Sequence, residues 1–344
     1  MTVTGPPAEP GQGNIDRLWM TEAMAAAAGV RTSTSPNPWV GAVVVPGGDE
    51  PVAVGATEPP GGPHAEVVAL DLAGASASGS TLYVTLEPCS HHGRTPPCVD
   101  TVIAAGVTRV VIGVVDPDPQ VCGRGVERLR AAGIEVITGV GATAVEAQLA
   151  PYLTQRLTGR PFVVLKLAAT LDGRIAAPDG SSTWITGPEA RLDVHRLRAE
   201  SDAIVVGAAT VASDDPALTV RGVPGRDPLR VVLGTAPERA RIHPALERTG
   251  DLRVILDELG GRGVLQLLIE GGANVAWRFH TAGLVDRYVI YLAPAFLGGD
   301  DGVAMFAGPG AATMASLWRG RITEVRRLGD DLCVTVLPGR DALA

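Results

Sequence analysis

Short β-branched runs alternate with segments of helical periodicity twice along this chain, and the two series share no evident repeat. Strands separated by helices build largely parallel sheets covered on their faces, so the pattern predicts an α/β architecture. In the first series, strands are read at "WVGAVVVPGG", "STLYVTLEPC", "RVVIGVVDP" and "EVITGV". Helices fall at "NIDRLWMTEAMAAAAGV", with Asn14 placed as its cap, and at "HAEVVALDLAGA", "CVDTVIAAG" and "GVERLRAAG". The second series places strands at "FVVLKLAAT", "AIVVG", "LRVVLG", "RVILD", "VLQLLIEGG", "DRYVIYLAP" and "LCVTVLP". Its helices are "GPEARLDVHRLRAESD" and "ANVAWRFHTAG". The expected organisation is a disordered lead-in over 1–14, a domain over 15–148, a helical connector over 149–161 and a second domain over 162–344. A chain of 344 residues has room for two separate cores.

Charge narrows the partners. The net charge is −8, no Lys/Arg block occurs, and aromatic residues make up only 4%, which argues against a nucleic-acid surface. No apolar run approaches the roughly 20 residues of a membrane helix. The opening "MTVTGPPAEPGQGN" lacks the basic start and apolar core of a signal peptide. A cytoplasmic protein acting on a small molecule is expected. Four cysteines at this length do not form a disulfide framework. Cys333 reads as a buried strand residue and Cys122 as a loop residue without a role.

The segment "LEPCSHHGRTPPC" concentrates metal-binding side chains, and upstream "GGPHAEVVAL" begins a helix with His64 and Glu66. Catalytic zinc takes three protein ligands and leaves a fourth position for water; His64, Cys89 and Cys98 supply three. A His-x-Glu at one helix start and a Pro-Cys…Cys at another form the signature of zinc-dependent base deaminases. In that chemistry the glutamate is no ligand and carries protons, the part assigned to Glu66. Eight residues separate these cysteines, where most base deaminases have two. Two rival readings stand beside this one. A structural zinc site would be closed by a fourth ligand, for which His91 and His92 are the near candidates. A nucleic-acid-editing deaminase would need a basic, aromatic-bearing face.

The stretches "PNPWVGAVVV", "HAEVVAL", "VTLEPCSHHGRTPPC" and "DPDP" resemble the deaminase half of the bifunctional riboflavin-biosynthesis enzymes. The resemblance extends from about residue 15 to 338, because "KLAATLDGRIA", "SSTWIT", "VGAATVASDDPALTVR" and "IEGGANVAWRF" resemble the reductase half. It implies a cytidine-deaminase-like α/β/α sandwich followed by a dihydrofolate-reductase-like α/β domain. The implied reactions are hydrolytic deamination of 2,5-diamino-6-(5-phosphoribosylamino)pyrimidin-4(3H)-one, with zinc, and reduction of its ribosyl side chain to ribityl, with NADPH. A homo-oligomer, dimer or tetramer, is expected. In the first half the family pattern assigns substrate contacts to Asn37, His91, Arg94, Asp116 and Asp118. Arg94 stands where lysine is usual, Asp118 where asparagine is usual and His92 where tyrosine is usual; His92 reads as a solvated loop residue.

The second half lacks a Gly-x-Gly-x-x-Gly after a strand, and "GVGATA" does not meet the pattern. "IEGGAN" instead leaves a strand and enters a helix, where backbone amides can hold a pyrophosphate. By resemblance, Ala169, Trp184, Thr210, Asp214 and Thr235 contact NADPH, with Gly271, Gly272, Ala273 and Asn274. Substrate falls to Ser182, Arg198, Leu218, Arg221 and Glu270, with Ser182 and Arg198 completing a phosphate grip. "ATVASDDPALTVR" is expected to be one polar loop. Lys166 and Glu270 are the candidates for polarising and proton-handling groups at the sugar.

Overall fold

The computed structural model describes residues 12–47, 50–91, 96–119 and 121–339. The chain divides into two units between Thr158 and Gly159. Helix α1 spans Gln12–Val30. Asn14 therefore lies inside the helix rather than capping it, and residues 1–11 of the expected lead-in fall outside the described residues.

The first unit is a five-stranded sheet in the order β2-β1-β3-β4-β5. Strand β1 (Gly41–Val45) pairs antiparallel with β2 (Ala53–Ala56) and with β3 (Thr81–Leu86). β3, β4 (Arg109–Val114) and β5 (Glu135–Thr138) run parallel, joined by α3 (Cys98–Ala104) and α4 (Arg124–Ala131). All five residues of β1 are buried, as its continuous apolar run requires of a strand covered on both faces. Glycine sets how close the helices come. A Cβ at Gly41 would lie 1.8 Å from the Ala23 carbonyl of α1, and one at Gly55 would lie 2.5 Å from the first turn of α2 (Ala65–Ala73). β2 is only four residues of "AVGA", too short and too poor in β-branched side chains to show in the sequence. α5 (Ala142–Thr158) buries Val145, Leu149 and Tyr152. Residues 149–158, expected to form a connector, thus pack as part of this unit.

The second unit is an eight-stranded sheet in the order β10-β9-β8-β11-β6-β12-β15-β14. Its first six strands are parallel: β6 (Phe162–Thr170), β8 (Ala203–Gly207), β9 (Leu229–Leu233), β10 (Leu246–Arg248), β11 (Gln266–Ile269) and β12 (Arg287–Ala293). An antiparallel hairpin of β14 (Gly320–Leu328) and β15 (Asp331–Pro338) closes the edge beyond β12. A small separate pair joins β7 (Arg174–Ala176) to β13 (Val303–Ala304). The helices are α6 (Pro188–Ala199), α7 (Ala208–Asp214), α8 (Leu252–Gly261) and α9 (Ala273–Thr281).

Two expectations are corrected here. "RVILD" is not a strand but the start of α8, which buries Leu252, Ile255, Leu256 and Leu259 on one face. The Asp251 side chain caps that helix by accepting from the Arg253 N–H. "ATVASDD" is helical through Asp214, so only its continuation is loop. β14 did not stand out in the sequence because it is a mostly exposed, charged edge strand, which lacks the apolar alternation of a covered one.

Candidate active sites

The first site grows from two helix starts and one strand end. His64 is the N-cap of α2, in extended backbone conformation, and Cys98 opens α3. Cys89 follows β3 through Glu87 and Pro88. Their ligand atoms all lie within 4.8 Å of one another. His64 Nδ1 is 3.2 Å from Cys98 Sγ and 3.7 Å from Cys89 Sγ. A tetrahedral zinc with ordinary Zn–N and Zn–S bonds has donor-to-donor edges of roughly 3.3–3.8 Å, so the three atoms fit that ion. The Cys98 N–H donates to Cys89 Sγ at 3.3 Å, which fixes the direction of that sulfur's lone pairs. A hydrogen bond from Cys98 lowers the Cys89 thiol to about 4, while that same bond and burial push Cys98 up. The two sulfurs divide one proton between them, and a divalent cation is suited to displace it.

Glu66, in the first turn of α2, is 3% exposed. Burial pushes its carboxyl up to about 7, with the charge on Cys89 adding to the effect. Its hydrogen bond with Cys98 aims it at the ligand cluster.

Around this centre the structure reveals a support that motif reading missed. Glu87 is 4% exposed, and its carboxylate accepts from the Gly123 and Gly125 N–H groups at 2.9 Å and from Asp116 and Val126 at 3.2 Å. It ties the strand end carrying Cys89 to the loop 116–123 and the start of α4. A Cβ at Gly125 would stand 2.3 Å from the Pro88 carbonyl, so this approach requires glycine. Asp116, also buried, accepts from Tyr152 Oη and from the Asp118 N–H, both at 2.9 Å. Burial raises its carboxyl above the ordinary range. Asp116 thereby supports the loop, while Asp118 is more open and pairs with Arg156 at 3.5 Å. Asn37 is half-buried before β1, and His91 is exposed. Arg94 and His92 lie outside the described residues. The only sequence hint of the Glu87 role was its place beside Pro88-Cys89, since its partners are backbone groups some 30 to 40 positions away.

The second site is a cavity of about 780 Å³ at the carboxyl ends of the parallel strands, where open α/β sheets bind ligands. Lys166, Ser182, Trp184, Thr210, Asp214 and Leu218 line it, as expected. So do Arg198, Arg221, Glu270, Gly271, Gly272 and Ala273. Three expected members do not: Ala169 is buried in β6, Thr235 is exposed beyond β9, and Asn274 is exposed on α9. Crowding requires glycine at 271 and leaves little room at 272. A Cβ at Gly271 would meet Val275 at 2.5 Å and one at Gly272 would meet Thr210 Oγ1 at 3.2 Å. The chain thus turns from β11 directly into α9 and brings that helix start to the cavity edge.

A bidentate ion pair lies at the centre of the cavity. Arg198 grips both Glu270 oxygens, at 2.6 and 2.9 Å, and donates through Nη1 to the Thr219 carbonyl. In this arrangement Arg198 orients the Glu270 carboxylate while still lining the cavity. Burial would raise the Glu270 carboxyl, but the Arg198 guanidinium outweighs it and holds the group below the ordinary range. Lys166 Nζ stands 3.7 Å from the same carboxylate. Trp184 is 73% exposed at the cavity, with Arg191 stacked over its ring. His195, Arg191 and Arg241 also line the cavity and were not anticipated. The signal for His195 was present in "DVHRLR", where it precedes Arg198 by three positions and so shares its helix face.

Comparison with known proteins separates the chain at the same place. Residues 14–114 match the cytidine and deoxycytidylate deaminase zinc-binding region, and residues 161–334 match the RibD C-terminal domain. The chain is 40% identical to the riboflavin biosynthesis protein RibD of Escherichia coli, over 93% of this chain and 98% of that one. It is 43% identical to the RibD of Mycobacterium tuberculosis, over 90% and 93%. Among solved structures, Acinetobacter baumannii RibD superposes with a TM-score of 0.89 at 37% identity, covering 95% of this chain and all of that one. A diaminohydroxyphosphoribosylaminopyrimidine deaminase/5-amino-6-(5-phosphoribosylamino)uracil reductase from Thermotoga maritima superposes with a TM-score of 0.86 at 35% identity, covering 95% and 100%.

Proposed function

The chain belongs to the RibD family of bifunctional riboflavin-biosynthesis enzymes, and from that premise we propose how its own residues divide the two reactions. It is a zinc-dependent pyrimidine deaminase joined to an NADPH-dependent reductase. The first reaction acts on 2,5-diamino-6-(5-phosphoribosylamino)pyrimidin-4(3H)-one, and the second reduces the ribosyl chain of the deaminated product to ribityl. His64, Cys89 and Cys98 hold the zinc, which when bound acidifies a water enough to yield hydroxide near neutral pH. Glu66 takes one proton of that water and delivers it to the ring nitrogen as the oxygen adds to C2, then takes the remaining proton from the new C2 hydroxyl and passes it to the departing amine. The C2–N bond breaks, ammonia leaves and the ring carbonyl forms. Asn37, His91, Arg94 and Asp118 hold the nucleotide, and Asp116 with Glu87 holds the loop beneath it. The observation that carries this reading is the His64–Cys89–Cys98 cluster with the buried Glu66 two residues after His64.

In the second unit the Gly271–Gly272 turn, Thr210 and Asp214 hold NADPH, whose contribution when bound is the hydride given to C1′. Ring opening leaves O4′ as a hydroxyl, and the exocyclic nitrogen takes a proton as C1′ is reduced. Lys166 is the donor of that proton: Glu270, ionised and held bidentate by Arg198, orients the ammonium. Ser182, Leu218 and Arg221 hold the substrate, with Arg221 the phosphate partner. A cytoplasmic homo-oligomer completes the reading; Cys122 and Cys333, outside the zinc site, are free thiols, which suits a reducing compartment. No described helix is long and apolar enough to cross a membrane. The test is a two-step assay, ammonia release and then NADPH oxidation, with zinc measured on the same sample. Zinc-free protein that still deaminates would overturn the reading.

A further inference from the structure

Helix α6 presents His195 and Arg198 to the irregular segment that carries Leu218 and Arg221 into the reductase cavity. Leu218 sits at φ 50, a left-handed conformation that a branched side chain keeps only where its surroundings over-determine it. Three consecutive residues after it are pinned. The Thr219 carbonyl accepts from Arg198 Nη1 at 3.0 Å, the Val220 N–H donates to Asp227 Oδ1 at 2.7 Å, and the Arg221 N–H donates to His195 Nδ1 at 3.1 Å.

The last of these is chemically selective. A backbone N–H can only donate, so Nδ1 must keep its lone pair and the ring must be the neutral Nε2–H tautomer. Burial and the facing charges of Arg198 and Arg221, against the opposing carboxylate of Glu270, hold the imidazole below its ordinary range, which favours that form. His195 itself lines the cavity.

We propose that His195 is a positioning residue of the reductase step: by accepting the Arg221 N–H it fixes where the Leu218 and Arg221 side chains meet the pyrimidine nucleotide, without touching the cofactor. The proposal rests on the reading of Arg221 as a substrate contact. Asparagine and glutamine separate it from a merely structural role. The Asn Oδ1 can take the place of Nδ1 and accept the Arg221 N–H, whereas the Gln carbonyl reaches the place of Nε2. In H195Q and H195A the reductase KM for the ribosylaminouracil phosphate rises by roughly tenfold, the worth of one lost hydrogen bond to a positioned group, while KM for NADPH is unchanged. In H195N most of that rise is reversed. Equal substrate KM values in H195N and H195Q, or a parallel rise in the NADPH KM, overturn the proposal. R221A measured alongside tests the premise: an unchanged substrate KM there overturns the reading of Arg221 itself.

Discussion

The zinc cluster and the reductase cavity are assembled at different ranges. His64, Cys89 and Cys98 lie within 34 positions of one another in the first unit, and two of them stand at helix starts, so two helix ends and one strand end suffice to assemble the ligands. The cavity of the second unit draws residues from Lys166 through Val303, and its central ion pair joins positions 72 apart. A metal demands specific donors at fixed distances, and a few side chains satisfy it. A cavity for two large ligands is shaped instead by strand order, and its charges arrange one another. The first kind of site fails at a single atom. The second fails by rearrangement.

The sharpest way to break this comparison is Cys98→Ser. Even an outer partner of a zinc ligand is worth about 10- to 100-fold in metal affinity, so loss of a thiolate ligand should exceed that. Zinc content and ammonia release should both vanish while NADPH oxidation with the deaminated substrate continues. Retained zinc would remove Cys98 from the coordination sphere.

Glu66→Gln should come next, lowering deamination by about 10²- to 10⁴-fold with zinc still bound, since the amide keeps the shape and cannot carry the proton. Near-normal turnover would assign the proton to another group.

In the second unit Arg198→Ala and Arg221→Ala should part ways. The first strands Glu270, 7% exposed, without its bidentate partner, at a cost of about 3–5 kcal/mol to the unit's stability and with a fall in reductase kcat. The second should leave stability alone and raise substrate KM by roughly tenfold to a hundredfold, the loss of one charge-assisted contact. Denaturant melts paired with kinetics check both. Identical behaviour of the two variants would return Arg198 to the substrate.

The smallest effect is in pH. Glu270 and Asp193 are held below their ordinary values, against burial, by Arg198 and Arg326 respectively. Their contribution to folding is complete above the unfolded carboxyl range of about 4 and drains away as pH falls through the folded values. Asp116 in the first unit is raised by burial and responds oppositely, favouring the folded state as it protonates. Asp286 in the second unit is likewise raised by burial, to about 6, so the Glu270 contribution is read from a difference. Acid melts of Arg198→Ala should show a flatter slope than the unaltered protein, and an unchanged slope would contradict this.

The zinc ligands, Glu66 and the α/β alternation were legible because each carries a short local signature: a donor at a helix start, a Pro-Cys turn or a strand's own apolar run. His64 nevertheless meets the two cysteines across 34 and 25 positions. The residues that escaped notice depend on distant ones. Glu87 looked like a mere flank of Pro88-Cys89 until its four backbone donors from 116 to 126 came into view. "RVILD" looked like a strand because β-branched residues cluster there, and only the wider spacing of Leu252, Ile255, Leu256 and Leu259 marks the helix. The sequence by itself determined which chemistry this protein carries, since donor types and their local spacing are covalent facts. Tertiary structure alone decided which groups are free to use it. Arg198 and Arg221 read alike as cations near a phosphate, yet only folding sets one against a buried carboxylate and leaves the other's backbone to a histidine. The physical reason is that a charge's role depends on its nearest desolvated partner, and here that partner is supplied by another strand or helix.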